Sequence, residues 1–161
     1  MKIEIFSTRI DFWVYQGFIT VLISQRIQSS IKTFISRIRQ LRVKNDSCKI
    51  HPDFQNAIKE CYAQYSPEHE DHEPFGTGYK FTEDNAWNYN DPDITKGTVA
   101  TGYVATYGAG GAYHDFHSLK EETARQIKEL KERLWIDKAT RFVTLDFTVY
   151  NANINLFCIV K

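Results

Sequence analysis

The chain has 161 residues, of which 42% are hydrophobic and 14% aromatic, and its 20 lysines and arginines match 20 aspartates and glutamates. That apolar content suffices for one packed domain and excludes a chain disordered throughout. The even charge balance lacks the basic surplus of a protein built to bind phosphate backbones, so no nucleic-acid partner is expected.

Residues 1–36 read as a separate, helical N-terminal segment. Met1-Lys2-Ile3-Glu4-Ile5 is a poor start for a signal peptide, and the apolar run Trp13 to Ser24 is too short to span a bilayer. Ile23, Ile27, Ile31, Phe34, Ile35 and Ile38 recur at helical spacing and predict an amphipathic helix. Arg37 to Lys44 reads as a strand with a charged side (Arg37, Arg39, Arg42, Lys44) and an apolar side (Ile38, Leu41, Val43). Pro52 stands where a first helical residue is tolerated, and a second helix is expected with Phe54, Ile58, Cys61, Tyr62 and Tyr65 on one face.

Ser66 to Gly97 is polar, with isolated aromatics, and is expected to be an ordered excursion that packs against something. Thr98 to Tyr107 alternates and predicts a strand, with Gly108-Ala109-Gly110-Gly111 as a turn and a short strand at Ala112 to Phe116. Ser118 and Glu121 have the spacing of a capping box, opening a third helix that carries Ile127, Leu130 and Leu134. Arg141 to Tyr150 alternates strictly and predicts a final strand. The irregular order of elements favours an α+β fold with a mostly antiparallel sheet and about three helices.

Three cysteines allow either one disulfide with a free thiol or three reduced thiols, with Cys48 and Cys61 close in sequence and Cys158 distant. Asn45-Asp46-Ser47 is an N-glycosylation sequon. Together these favour an oxidising, extracellular or lumenal address. The chain itself does not explain such export, which is the pattern of a piece of something larger.

Nothing in the residue pattern points to catalysis. His69 and His72, and His114 and His117, lack a third ligand at metal-site spacing, so no metal is expected. The glycine-rich turn lacks a phosphate-loop pattern, the acidic cluster Glu68, Glu70, Asp71, Glu73 lacks that of a calcium loop, and no cofactor is expected.

From Arg37 onward the sequence resembles the polycystin domain, the extracellular domain between the first two transmembrane helices of the polycystin-2 family of cation channels. Four blocks carry the resemblance. The first is Arg37 through Cys48, with Glu60-Cys61-Tyr62 and Tyr65-Ser66-Pro67. Pro74-Phe75-Gly76 with Asn85-Ala86-Trp87, and Ala105 through Tyr113, are the second and third. The last runs from Leu134-Trp135-Ile136-Asp137 through Asp146 to Cys158, including the unusual Asn151-Ala152-Asn153-Ile154-Asn155.

The resemblance implies a domain over residues 37–153, with 154–161 beginning the lead into a second transmembrane helix. It implies a Cys48–Cys61 disulfide stapling a long excursion, the family's three-leaf-clover region over about Cys48 to Gly97, and a glycan on Asn45. A loop of that size would stabilise the fold by about 3 kcal/mol on chain entropy. The implied function is non-catalytic: assembly and gating of a tetrameric, calcium-permeable, non-selective cation channel. The implied partners are other polycystin subunits, as homo- or heterotetramer, and the pore domain, with membrane contact only through flanking helices. Tyr62, Tyr65, Phe75 and Trp87 are the candidate interface anchors, and Asn151, Asn153, Asn155 and Phe157 mark the membrane junction. The family's glycine at Ala139 is absent, which would be penalised if that position needs a left-handed backbone. The alternative reading is a free-standing secreted or truncated protein that binds channel subunits or an extracellular ligand.

Overall fold

The computed structural model describes the backbone of residues 31–76 and 85–161, and side chains from Ser36 onward within them. The expected helix before Ile31 and the loop residues Tyr79 to Glu83 lie outside the described residues.

Strands β1 (Ile31–Arg42), β4 (Ala112–Phe116), β5 (Thr140–Asn151) and β6 (Leu156–Val160) form one four-stranded sheet in the order β4-β1-β5-β6. Strands β2 (Ala100–Thr101) and β3 (Thr106–Tyr107) make a separate two-stranded hairpin. The described helices are a single turn, α1 (Pro92–Thr95), and α2 (Lys120–Glu132). Both the β5–β6 and β2–β3 pairs are antiparallel. The architecture is therefore mixed and sheet-rich, with about two helices where three were expected.

The shortfall has local causes. From Ile31 onward the chain is strand, not helix. Its apolar spacing suits a helix, but its isoleucines, threonine and phenylalanine are good strand formers, and pairing within the sheet decided between the two. The helix expected from Pro52 stops after one 3-10 turn, Pro52–Phe54, and Phe54 and Ile58 are exposed. Beyond it the backbone is bound sideways: the Cys61 amide donates to Asn45 Oδ1 at 3.3 Å and the Ala63 amide to Ser47 Oγ at 2.9 Å. Arg141 Nε and Nη2 donate to the carbonyls of Ala63 and Tyr62. Those partners replace the i→i−4 bonds that a helix would need. Helix α1 was signalled by Asp91-Pro92, which supplies its N-cap residue and first-turn proline, and it ends with Lys96 left-handed.

Two compact units make up the chain. The larger, residues 38–114 and 127–144, holds a core of Leu41, Val43, Tyr65 and Tyr107, with Tyr62, Tyr89, Ala105 and Phe142 packed against it. Tyr107 stacks on Phe142 at 4.3 Å between ring centres. Here β1 departs from its expected two-sided character. Arg39, Gln40 and Arg42 are buried along with Ile38, Leu41 and Val43, whereas Arg37 is partly exposed and Lys44 exposed, so the middle of the charged side faces protein rather than solvent. In the same unit Leu134, expected on the buried face of α2, is exposed at the helix end with φ 56°. Ala139 has no positive φ, so the penalty for losing a glycine there does not arise; the left-handed position is Leu134.

The smaller unit, residues 1–37, 115–126 and 145–161, contains the β5–β6 hairpin. Its turn uses the asparagine-rich block. The Asn153 amide donates to Asn151 Oδ1 at 3.0 Å, Tyr150 Oη donates to Asn155 Oδ1 at 2.9 Å, and Asn155 is left-handed at φ 50°. Asparagine suits both tasks, bonding its own backbone and tolerating the left-handed region. Residues 154 and 155 finish this turn, and Leu156–Val160 pairs back on β5 from Asn151↔Leu156 to Phe147↔Val160. At the start of α2, His117 and Thr123 make the end bonds in place of the expected Ser118–Glu121 box: Leu119 N donates to His117 Nδ1, and Thr123 Oγ1 donates to the His117 carbonyl.

Candidate functional site

The excursion between β1 and β4 belongs to the larger unit and is fastened in layers. Its first leg is stapled by a Cys48–Cys61 disulfide, with the two Cα atoms 5.4 Å apart. Val43 pairs with Glu70 as an isolated bridge, and the Lys44 amide donates to the His69 carbonyl. Asn90 and Gly111 exchange both backbone bonds, and the Tyr113 amide donates to the Asn85 carbonyl. A Cβ on Gly111, which has φ 122°, would fall on the Gln40 carbonyl, so the close approach of these backbones needs glycine there.

Arginine 39 is the hub. Its Nη1 donates to the carbonyls of Gly108 at 2.8 Å and Gly110 at 2.6 Å, and its Nη2 to that of Thr98 at 3.0 Å. The planar fork thus fixes both ends of the β2–β3 hairpin to β1. Three residues on, Arg42 grips Asp137 with both terminal nitrogens, at 2.8 and 3.0 Å, and lies 3.8 Å from the ring centre of Phe75. Two arginines of the basic run, Arg39 and Arg42, are thereby spent inside the protein.

A second polar cluster surrounds Glu70. Tyr65 Oη donates to Glu70 Oε2 and accepts from the Gly108 amide at 3.1 Å, while His72 lies 3.3 Å from Glu70 Oε1 and stacks on Tyr89. Burial, reinforced by the Glu70 bond, pushes the Tyr65 phenol up to about 12 and raises Tyr89 in the same direction. A raised folded-state pKa contributes stability that is complete below the ordinary value near 10 and disappears as the pH climbs through 12. Denaturant unfolding between pH 8 and 12 should therefore show stability falling from about pH 10 upward. Tyr65→Phe should be less stable at neutral pH and flatter across that window.

Each anticipated interface residue has a definite place. Trp87 is 3% and Tyr65 7% exposed, and both pack within the unit. Phe75 is half-buried against Trp87 and under Arg42, and Tyr62 is half-buried against the core. Asn45 is exposed in a turn beside the disulfide. Asn151, Asn153 and Asn155 serve the β5–β6 turn, and Phe157 is exposed on β6 with Leu156 and Ile159.

The side chains free to meet a partner are others. Tyr103 is fully exposed at the tip of the β2–β3 hairpin, where the Gly102 amide donates to the Ala105 carbonyl; Val104 is exposed next to it, and Val99 is exposed just ahead of β2. Phe54 and Ile58 stand exposed within the disulfide loop. Gly102 was the overlooked signal, since a glycine inside an alternating run marks a turn rather than a strand interior.

Among the described residues no group of three or more His, Cys, Asp or Glu could hold a metal ion, and no helix is long and apolar enough to cross a membrane. A cavity lined by Gln40, Arg42, Phe75 and Tyr89 has a volume of about 10 Å³, room for a water rather than a substrate. The arrangement presents an apolar hairpin on a rigid support and assembles no nucleophile with a base among these clusters.

The family model for the polycystin domain matches residues 9–161. Over 127 residues, 79% of this chain, the sequence is 45% identical to Polycystin-2 of Danio rerio, covering 14% of that protein. It is 42% identical over 127 residues to Polycystin-2-like protein 1 of Homo sapiens, covering 79% of this chain and 15% of that protein. Polycystin-2 of Caenorhabditis elegans is 40% identical over 126 residues, with 78% of this chain and 17% of the relative covered. The chain spans less than a fifth of the length of these curated relatives. By the extent of the family match, this chain belongs to the polycystin domain family.

Proposed function

We propose that this domain assembles and gates a tetrameric polycystin-type cation channel, non-selective and calcium-permeable, from the extracellular or lumenal side. The observation that carries this reading is the β2–β3 hairpin: Val99, Tyr103 and Val104 are exposed while Arg39 holds the hairpin ends in place. A pre-ordered apolar surface loses little entropy on docking, and aromatic anchors of this kind dominate interface energies. Subunit contacts made there would couple to the pore through differences in contact free energy between closed and open states. The Cys48–Cys61 disulfide supports the oxidising side of the membrane. The half-buried Phe75 and Tyr62 remain candidates for the rim of such a contact, and Asn45 for its glycan.

The test is Tyr103→Ser with Val104→Ser in the full-length channel that carries this domain. Because neither side chain is buried, the folding stability of the domain should change by less than about 0.5 kcal/mol. Loss of a central aromatic anchor should cost about 2 kcal/mol per contact, roughly 30-fold in subunit affinity. Cross-linking or native mass measurement should show fewer tetramers, and whole-cell current should fall. Unchanged assembly together with unchanged current would defeat this reading.

A further inference from the structure

The sequon at Asn45 is bent and tied to the segment 61–63. Asp46 is left-handed at φ 58°, so Asn45-Asp46-Ser47 is a turn and not an extended segment. Asn45 Oδ1 accepts from the amides of Asp46 at 2.8 Å and Cys61 at 3.3 Å. Ser47 Oγ donates to the Lys44 carbonyl at 2.7 Å and accepts from the Ala63 amide at 2.9 Å. The 61–63 segment is itself held by the disulfide and by Arg141, whose guanidinium reaches the Tyr62 and Ala63 carbonyls.

We propose that glycan transfer to Asn45 and closure of the Cys48–Cys61 disulfide are ordered, with the sugar added first. This inference rests on the lumenal address proposed above. A sequon is defined by the hydroxyl that Ser and Thr share at its third position, so the transferring enzyme must reach that hydroxyl. In the closed loop Ser47 Oγ has its proton on one carbonyl and its lone pair on an amide, and the left-handed Asp46 prevents extension. Freeing the sequon requires the 61–63 segment to leave, which the disulfide opposes.

The reverse order meets no obstacle. In the transfer, Asn45 Nδ2 bonds to the anomeric carbon of an oligosaccharide carried on a polyprenyl diphosphate. The carbon–oxygen bond to the diphosphate breaks, the diphosphate departs with the electron pair, and the nitrogen releases one proton. The folded loop uses Asn45 Oδ1, which the transfer leaves in place, so a glycosylated Asn45 still accepts the Cys61 amide. Closure then passes two electrons and two protons from the thiols of Cys48 and Cys61 to a disulfide oxidant, which becomes two thiols.

The full 161-residue chain, purified without glycan and oxidised, is incubated with permeabilised rough microsomes as the source of transferase and lipid-linked sugar. Occupancy is read as conversion of Asn45 to aspartate by an amidase that removes N-glycans, followed by peptide mass. The disulfide-closed chain is expected to be modified at least tenfold more slowly than C48S/C61S. Because that variant can unfold, a second leg keeps the disulfide closed and removes only the backbone donor to Ser47, as A63P; modification should rise severalfold over the closed wild-type chain. Equal rates for closed and open chains overturn the inference, as does an open chain that is not modified or a closed A63P that gains nothing. None of these outcomes bears on subunit assembly, which is decided by the Tyr103 and Val104 substitutions in the channel.

Discussion

Arg39→Met should lower the unfolding free energy by about 4 kcal/mol, the largest loss expected from any polar residue of the β1 strand. The substitution keeps much of the aliphatic stem but removes the donors to the carbonyls of Thr98, Gly108 and Gly110. Each bond to a charged donor is worth about 1.5–3 kcal/mol, and buried acceptors left without partners add desolvation costs of about 1–3 kcal/mol. These values do not add fully, because water can reach part of the site once the hairpin loosens. For a chain of this size the melting temperature should fall by about 10 °C. Arg39→Lys should recover only part of the loss, since a single ammonium cannot reproduce a planar fork. Arg37→Met is the control: its ion pair with Asp115 is between partly exposed side chains, so its loss should cost less than about 1 kcal/mol. Denaturant titrations of the variants separate these outcomes. An Arg39→Met loss no larger than that of Arg37→Met would show that the hairpin is not held from β1.

Trp135→Ala should cost about 3–5 kcal/mol. Trp135 is 1% exposed, and its indole Nε1 donates to the Ala86 carbonyl, tying the end of α2 to the Ala86–Trp87 pair of the excursion. Its own carbonyl accepts from Gln40 Nε2 at 2.7 Å, so the same residue also meets β1. Truncation leaves a cavity that these elements can close only by moving. Trp135→Phe should retain most of the packing and lose about 1–2 kcal/mol through loss of the indole bond to the Ala86 carbonyl. Amide exchange at Ala86 to Asn90 should quicken more than at β5 in both variants. Uniform quickening would mean that the excursion does not depend on this contact.

Several elements were legible because local pattern and tertiary demand coincide. The strand Ala112–Phe116 stands where it was expected after the glycine turn, the strand through Arg141 to Tyr150 stands where alternation put it, and α2 stands where Ile127 and Leu130 share a face. Even so, alternation did not predict burial along β5, whose residues are all partly buried. Where pattern and pairing disagreed, pairing prevailed. Ile31 to Ile38 carries helical spacing and forms strand, and the apolar face expected after Pro52 is split between exposed Phe54 and Ile58 and a laterally bonded 61–65 segment. The aromatic residues of the excursion could be recognised as packing groups. Which way each one faces could not, because that depends on what β1 and α2 bring to it from distant sequence.

By itself the sequence determined the family, through blocks whose residue order carries the information, together with the mixed class and the absence of any recognisable catalytic motif. It also contained the turn chemistry of the asparagine-rich block, since asparagine's local bonding and left-handed tolerance act within a few residues. Only the tertiary structure decided that Arg39 points inward at carbonyls and Arg42 at Asp137, that Tyr65 and Trp87 are core, and that Tyr103 is a fully exposed aromatic. The physical reason is range. Periodicity and turn preference are fixed by neighbours in the chain, whereas burial of a charged or aromatic side chain is fixed by partners 59 to 71 residues away, as Arg39 shows with Thr98, Gly108 and Gly110.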